Sequence, residues 1–134
     1  MREIEFRGKR IDNGEWVCGL PMYRNYIKQF TKHEWIDNLD NNRVKTYQTS
    51  ADFQIEEKTL GQYTGLKDKN GTKIFEGDIV NMLNITDYPM QIKWNKKWAR
   101  FIFYNFVDKT EMNLFTEQCE VIGNIYDNPE LVKE

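Results

Sequence analysis

The sequence predicts a mainly β protein assembled from short strands. Two observations carry this. Apolar and polar residues alternate with a period of two through much of the chain, the pattern of strands with one buried face. Turns marked by glycine and asparagine separate these runs at short intervals, the spacing of a barrel or sandwich.

The elements follow in order. Ile4 and Phe6 alternate with Glu3, Glu5 and Arg7 and form a first strand. Asp12-Asn13-Gly14 comes next, where Asn and Gly tolerate the positive φ of a tight reversal. Trp16, Cys18 and Leu20 alternate on the way back, completing a hairpin that Pro21 ends. Between Tyr23 and Arg43 two readings stand. Tyr23, Tyr26, Ile27 and Phe30 have helical spacing, whereas the content of aromatics and Thr favours a strand. The polar cluster Asp37-Asn38-Leu39-Asp40-Asn41-Asn42 reads as an exposed loop. Beyond it, Tyr47, Thr49, Ala51, Phe53 and Ile55 face one way and Gln48, Ser50, Asp52 and Gln54 the other, as in a strand.

Turn chemistry is densest between residues 61 and 85. Gly61, Gly65, Asn70-Gly71 and Gly77 punctuate short apolar pieces at Tyr63, Leu66, Ile74-Phe75 and Ile79-Val80. Met90, Ile92 and Trp94 then alternate with Gln91 and Lys93. Asn95-Lys96-Lys97 makes a turn, and Trp98 to Val107 runs back. Cys119 to Tyr126 gives a last strand around Gly123. Asn128-Pro129-Glu130 resembles an N-cap, a proline in the first helical position and an acidic first turn, and predicts a short C-terminal helix. The polar stretch Glu56-Glu57-Lys58 is the natural boundary between an N-terminal β subdomain, 1–58, and a second subdomain, 59–134.

Composition narrows the class of function. The 134 residues are 40% hydrophobic and 14% aromatic, enough for a packed core. A net charge of −2 gives no global attraction to nucleic acid or an acidic membrane, so such binding needs a local patch. No apolar run approaches the roughly 20 residues that span a bilayer, and Met1-Arg2-Glu3-Ile4-Glu5 lacks the apolar core of a signal peptide. These features predict a cytoplasmic protein that does not engage the membrane. Cys18 and Cys119, in a reducing compartment, read as buried thiols, and with the single His33 they leave no zinc-ligand spacing.

Three blocks carry a family resemblance. The first is Arg2-Glu3-Ile4-Glu5-Phe6-Arg7-Gly8-Lys9-Arg10 with Gly14-Glu15-Trp16-Val17. The second runs from Gly61-Gln62-Tyr63-Thr64-Gly65-Leu66 through Asn70-Gly71 to Ile74-Phe75-Glu76-Gly77-Asp78-Ile79-Val80. The third is Val121-Ile122-Gly123-Asn124-Ile125-Tyr126-Asp127-Asn128-Pro129-Glu130-Leu131. Together they resemble the YopX family of phage and prophage proteins from end to end. The resemblance implies an N-terminal β subdomain followed by a small SH3-like β-barrel, and a phage or prophage origin in Gram-positive bacteria. It brings no established activity, and Cys18 stands where an aromatic residue is expected. By the residues alone, the Gly-rich middle block reads as barrel architecture rather than a site, with Gly65, Gly71 and Gly77 permitting bends that a Cβ resists.

Candidate chemistry divides three ways. His33 with a cysteine, Glu76 with Asp78, and Glu117 with Glu120 offer acid, base or nucleophile, but no companion motif activates them. No catalytic, cofactor-binding or metal-binding residue is assigned, and the chain reads as a non-enzymatic accessory protein. Nucleic-acid contacts are the alternative, through Lys93, Lys96, Lys97 and Arg100 interleaved with aromatics between 91 and 107. Protein–protein binding or self-assembly is preferred, with an unidentified protein partner or a homo-oligomer. Both faces of the strand from Trp98 are largely apolar, which places an expected interface at Trp98, Ile102, Tyr104 and Phe106.

Overall fold

The computed structural model describes residues 3–23, 25–37, 43–83, 85–86, 88–114 and 118–132, with backbone alone for 31–37 and 43–49. Among these residues the protein is mainly β, with eleven strands and two short 3-10 turns. The chain divides into one compact unit at Glu5–Leu60 and another at Gly61–Glu134, which includes Met1–Ile4.

The Glu5–Leu60 unit is an antiparallel meander of β1 (Phe6–Lys9), β2 (Trp16–Met22), β3 (Tyr26–Asp37) and β4 (Arg43–Gln54), in spatial order β4-β3-β2-β1. The strand reading prevails over the helical one from Tyr26 onward. Ile27 lies between Pro21 of β2 and Phe53 of β4 and is fully buried, whereas Tyr26 and Phe30 lie on the opposite face and stay exposed. Aromatics four apart satisfy a period of two as well as a helical repeat, and cross-strand packing decided between them. The expected polar loop falls mostly at 38–42, outside the described residues.

The end of β4 returns to β1. Arg10 bridges Ile55, the Ile11 N–H donates to the Gln54 carbonyl at 3.0 Å, and the Glu56 N–H donates to the Lys9 carbonyl at 2.9 Å. Val17, Ile27 and Ile55 form the core within this bend, with Phe53 and Leu60 packed against it. Gly8 is buried there, and a Cβ on it would run into Ile55. A 3-10 turn, Glu57–Thr59, finishes the unit. The buried Thr59 hydroxyl donates to the Glu56 carbonyl (2.6 Å) and accepts from the Lys9 N–H (2.9 Å).

The second unit holds a hairpin of β5 (Gly61–Lys67) and β6 (Lys73–Phe75). It also holds a five-stranded antiparallel sheet of β7 (Asp78–Met82), β8 (Met90–Asn95), β9 (Arg100–Asn105), β10 (Thr110–Asn113) and β11 (Cys119–Asn124), in order β10-β9-β8-β7-β11. That order is compatible with the barrel the resemblance implies, and the pairings themselves end at β10 and β11. Ile74, Val80, Met82, Met90, Ile92, Phe101, Phe103 and Cys119 form its core.

The glycine-rich block is architecture, and carboxylates fix it. Gly71 (φ +82°) and Gly77 (φ +91°) take left-handed conformations that residues with a Cβ resist. The Asp68 carboxylate accepts from the Asn70 N–H (2.8 Å) and Thr72 N–H (2.9 Å) with one oxygen, and from the Val121 N–H of β11 (2.9 Å) with the other. Asp78, only 1% exposed, accepts from the Phe75 N–H at 2.7 Å across the β6–β7 corner.

The chain end takes the short helical turn expected of it, and only its cap differs. Residues Pro129–Val132 form a 3-10 turn, and the Asn128 side-chain oxygen accepts from the Asn124 N–H at 3.2 Å, back toward β11 rather than forward into a helix. A Cβ at Gly123 would collide with that side chain, so the glycine admits the fold-back. No helix among the described residues is long and apolar enough to cross a membrane.

Burial pushes the Asp68 carboxyl up, but the N–H groups of Val121, Thr72 and Asn70, with the charge of Lys69, outweigh it and hold its pKa below the ordinary value. A depressed folded pKa contributes stability that is present above the ordinary carboxylate value and lost as pH falls through the depressed one. Asp68→Asn is expected to cost about 1–3 kcal/mol at neutral pH and to flatten the loss of stability in acid. Urea unfolding of both proteins across that acid range checks this.

Candidate functional site

The β8–β9 hairpin concentrates the expected site residues, and its register explains how. Trp94 pairs with Phe101, Lys93 with Ile102, and Asn95 with Arg100. Directly paired residues share a face, so Ile92, Phe103, Trp94 and Phe101 lie on the core side, with Trp94 at its open end. Lys93, Ile102, Tyr104 and Arg100 lie on the other.

The strand expected from Trp98 to Val107 is shorter, Arg100–Asn105, because an asparagine ends it on each side. The Asn95 side-chain oxygen accepts from the Trp98 N–H at 2.8 Å. Ala99 then takes a left-handed conformation, φ +51°, to close the turn. Asn105 accepts from the Val107 N–H at 3.0 Å and the Asp108 N–H at 3.3 Å. These side-chain turns compete with strand continuation. Asparagine in this role was the signal in the sequence that alternation alone overlooked.

The four cations are all exposed. The Lys93 ammonium sits 4.2 Å from the Tyr104 ring centroid, and Lys97 and Arg100 lie 5.3 Å and 5.8 Å from that of Trp98. Trp98 is 60% exposed in the turn. Glu111 of β10 adds the acid that sequence reasoning missed: it accepts from the Asn95 side chain at 2.6 Å. β10 carries one apolar residue, Met112, and so offers too little alternation to be seen in advance.

Of the expected interface, the residues part company. Ile102 (2% exposed) and Phe106 (8%) are buried within the chain itself. Tyr104 is half-buried, and only Trp98 presents a broad surface. The anticipated two-sided burial of β9 holds for Phe101, Ile102 and Phe103, and it removes Ile102 from any contact surface.

A concave surface lies beside these residues. A groove of about 310 Å³ lies against the hairpin, lined by Thr64, Leu66, Trp94, Arg100, Phe101 and Leu114. Trp94 and Leu66 remain 42% and 40% exposed, and Trp94 meets the Phe101 ring edge-on at 4.9 Å. The Thr64 hydroxyl donates to the Ile74 carbonyl and accepts from the Leu66 N–H, so it shapes the groove wall.

Two of the acid candidates make structural contacts. Asp78 holds a turn, and Glu120 lies at 3.5 Å from the Asn70 amide. Glu117 and the side chain of His33 lie outside the described residues. Cys18 and Cys119 are not joined in a disulfide. Burial, with the nearby charges of Asp68 and Asp78, pushes the Cys119 thiol up to about 12, which keeps it protonated and a poor nucleophile. Among the described residues no three His, Cys, Asp or Glu side chains gather into a metal site.

Fold and surface thus define a mainly β protein of two antiparallel units, with a basic, aromatic hairpin flanking an apolar groove. The chain belongs to the YopX protein family, whose pattern it matches over residues 5–133. It is similar in fold to the crystal structure of protein EF1440 from Enterococcus faecalis, at 23% identity and a TM-score of 0.56, covering 99% of this chain and 100% of that one. No curated protein matches it.

Alkylation at mildly alkaline pH is expected to leave Cys119 unmodified in the folded protein and to reach it only after denaturation. Mass spectrometry of the cysteine peptides reads this directly.

Proposed function

We propose that the protein is a non-enzymatic accessory protein that acts by binding another protein through the groove beside the β8–β9 hairpin. The observation that carries this is Trp94 and Leu66, left exposed in a concave apolar surface with Arg100 at its rim. A tryptophan in an apolar pocket is the usual form of an interface anchor, and a cation at the edge favours a partner segment with an acidic group. The buried carboxylates accept from backbone N–H groups and the buried thiol is held protonated, which favours binding over catalysis. The setting we propose comes with the family resemblance: a phage or prophage product in the cytoplasm of a bacterial host.

Nucleic acid is the second reading, favoured by the four exposed cations of the hairpin, two of which, Lys97 and Arg100, lie over the exposed Trp98 ring. Cations neutralise phosphates and an exposed ring stacks on bases.

The two readings separate experimentally. With the protein immobilised and extract from induced cells as the source of partner, Trp94→Ala is expected to weaken capture by about 2 kcal/mol or more, roughly thirtyfold in Kd. Capture unchanged by both Trp94→Ala and Leu66→Ser sinks the groove. Retention on a single-stranded oligonucleotide at low salt, lost steeply as salt rises and abolished by reversing Lys93 and Lys97, supports the second reading instead.

A further inference from the structure

The β3–β4 hairpin is longer than the sheet that supports it. β2 pairs with β3 only from Tyr26 to Lys28, whereas β3 pairs with β4 over twelve residues, from Tyr26–Gln54 to Asp37–Arg43. The outer part, Gln29–Asp37 with Arg43–Ala51, is therefore a two-stranded ribbon among the described residues. Such a ribbon is marginal in water without a third strand or a covering surface.

Its outer edge is open as well. β4 ends the order of its unit, and beyond the junction of Gln54 with β1 no described strand pairs with its free side. Roughly half of the residues from Arg43 to Phe53 direct their N–H and C=O groups outward, as alternate residues of an antiparallel strand do. The usual devices that protect an edge are sparse. The twelve β3–β4 pairs run without a bulge, and Arg43–Gln54 contains neither proline nor glycine. Its charges lie near the ends, with Arg43 and Lys45 at one and Asp52 at the other, and Thr46-Tyr47-Gln48-Thr49-Ser50-Ala51 between them is uncharged.

We infer that β4 is an assembly edge, and that its occupant is β4 of a second copy of this chain, antiparallel across a two-fold axis near Gln48. An antiparallel strand pair about a two-fold is self-complementary, so one exposed edge supplies both halves of the contact. The charge pattern selects this direction. Antiparallel pairing sets the Arg43 and Lys45 ends of the two copies far apart, whereas parallel pairing lays them side by side. The product is a four-stranded sheet, β3-β4-β4-β3, in which each ribbon gains the strand it lacks. This contact uses neither the groove nor the basic hairpin, so either reading can fail without the other.

Sedimentation of the intact chain tests it. The expected result is a dimer at micromolar concentration that Gln48→Glu with Thr49→Glu converts to monomer, with the far-ultraviolet circular dichroism unchanged. Within its own hairpin position 48 is in register with Lys32 and position 49 with Thr31, so neither substitution places like charges at paired positions of the ribbon. A wild-type monomer, or a dimer that survives the double variant, overturns the inference. If the double variant misfolds, Gln48→Cys and Thr49→Cys, each in a Cys18→Ser background, decide the matter. Disulfide-linked dimers through either position support it, and their absence under mild oxidation overturns it.

Discussion

The second unit depends on one buried carboxylate. Asp68 sits in the turn between β5 and β6, yet one of its oxygens is bound by a backbone N–H fifty-three residues later, at Val121. The same turn gives the Lys69 N–H to the Cys119 carbonyl at 3.1 Å. A local reversal and the last strand of the sheet are thereby fixed together. The cost of burying the charge is met by three backbone donors, which is why the group stays ionised rather than neutral. β11 needs that anchor because its pairing with β7 shifts register between Val121 and Gly123, where the ladder alone specifies least.

From that anchor the sheet's interior follows, and with it the distribution of surface chemistry. Phe103, Ile92, Met90 and Val80 close the core, and β9 is buried on both faces at Phe101 to Phe103. Aromatic residues that the core does not take accumulate at the open end of the β8–β9 hairpin. There the strands end at asparagine-capped turns and no neighbouring side chain covers Trp98 fully. The basic residues and the groove share one place for this reason.

Much of the fold was legible in the sequence because alternation and glycine report local backbone states. The strand Tyr47–Ile55, the β8–β9 hairpin and the bends at Gly71 and Gly77 all followed from such signals. What escaped depended on side chains acting at a distance. Tyr26 and Phe30 fit two periods, and only the packing of Ile27 between two strands chose one. Three turns place Tyr23, Ala99 and Lys109 at positive φ without glycine, so those residues did not themselves announce the left-handed conformation. Asn128 carried an N-cap signature, but its oxygen found a partner in β11 instead. The basic residues of the site were legible by composition. The groove was not, because Leu66 and Leu114 reach Trp94 from sequence positions far from the hairpin.

The balance between the two binding readings turns on what already occupies each aromatic ring. Trp98 and Tyr104 have cations over their rings, contacts worth about 0.5–1 kcal/mol each at exposed sites. A base that stacks there gains about 1–3 kcal/mol and must first displace those cations. The same cations are then free to meet phosphate, so the exchange is not forbidden, but its net gain is small. Trp94 sits differently. Its ring is braced edge-on by Phe101 at the mouth of a groove, and an apolar side chain entering there removes water from both. Such an anchor contributes about 2 kcal/mol or more, and nothing has to leave the ring except solvent. This difference in what must leave each ring is the physical ground on which the proposed reading prefers a protein segment in the groove to a base on the hairpin.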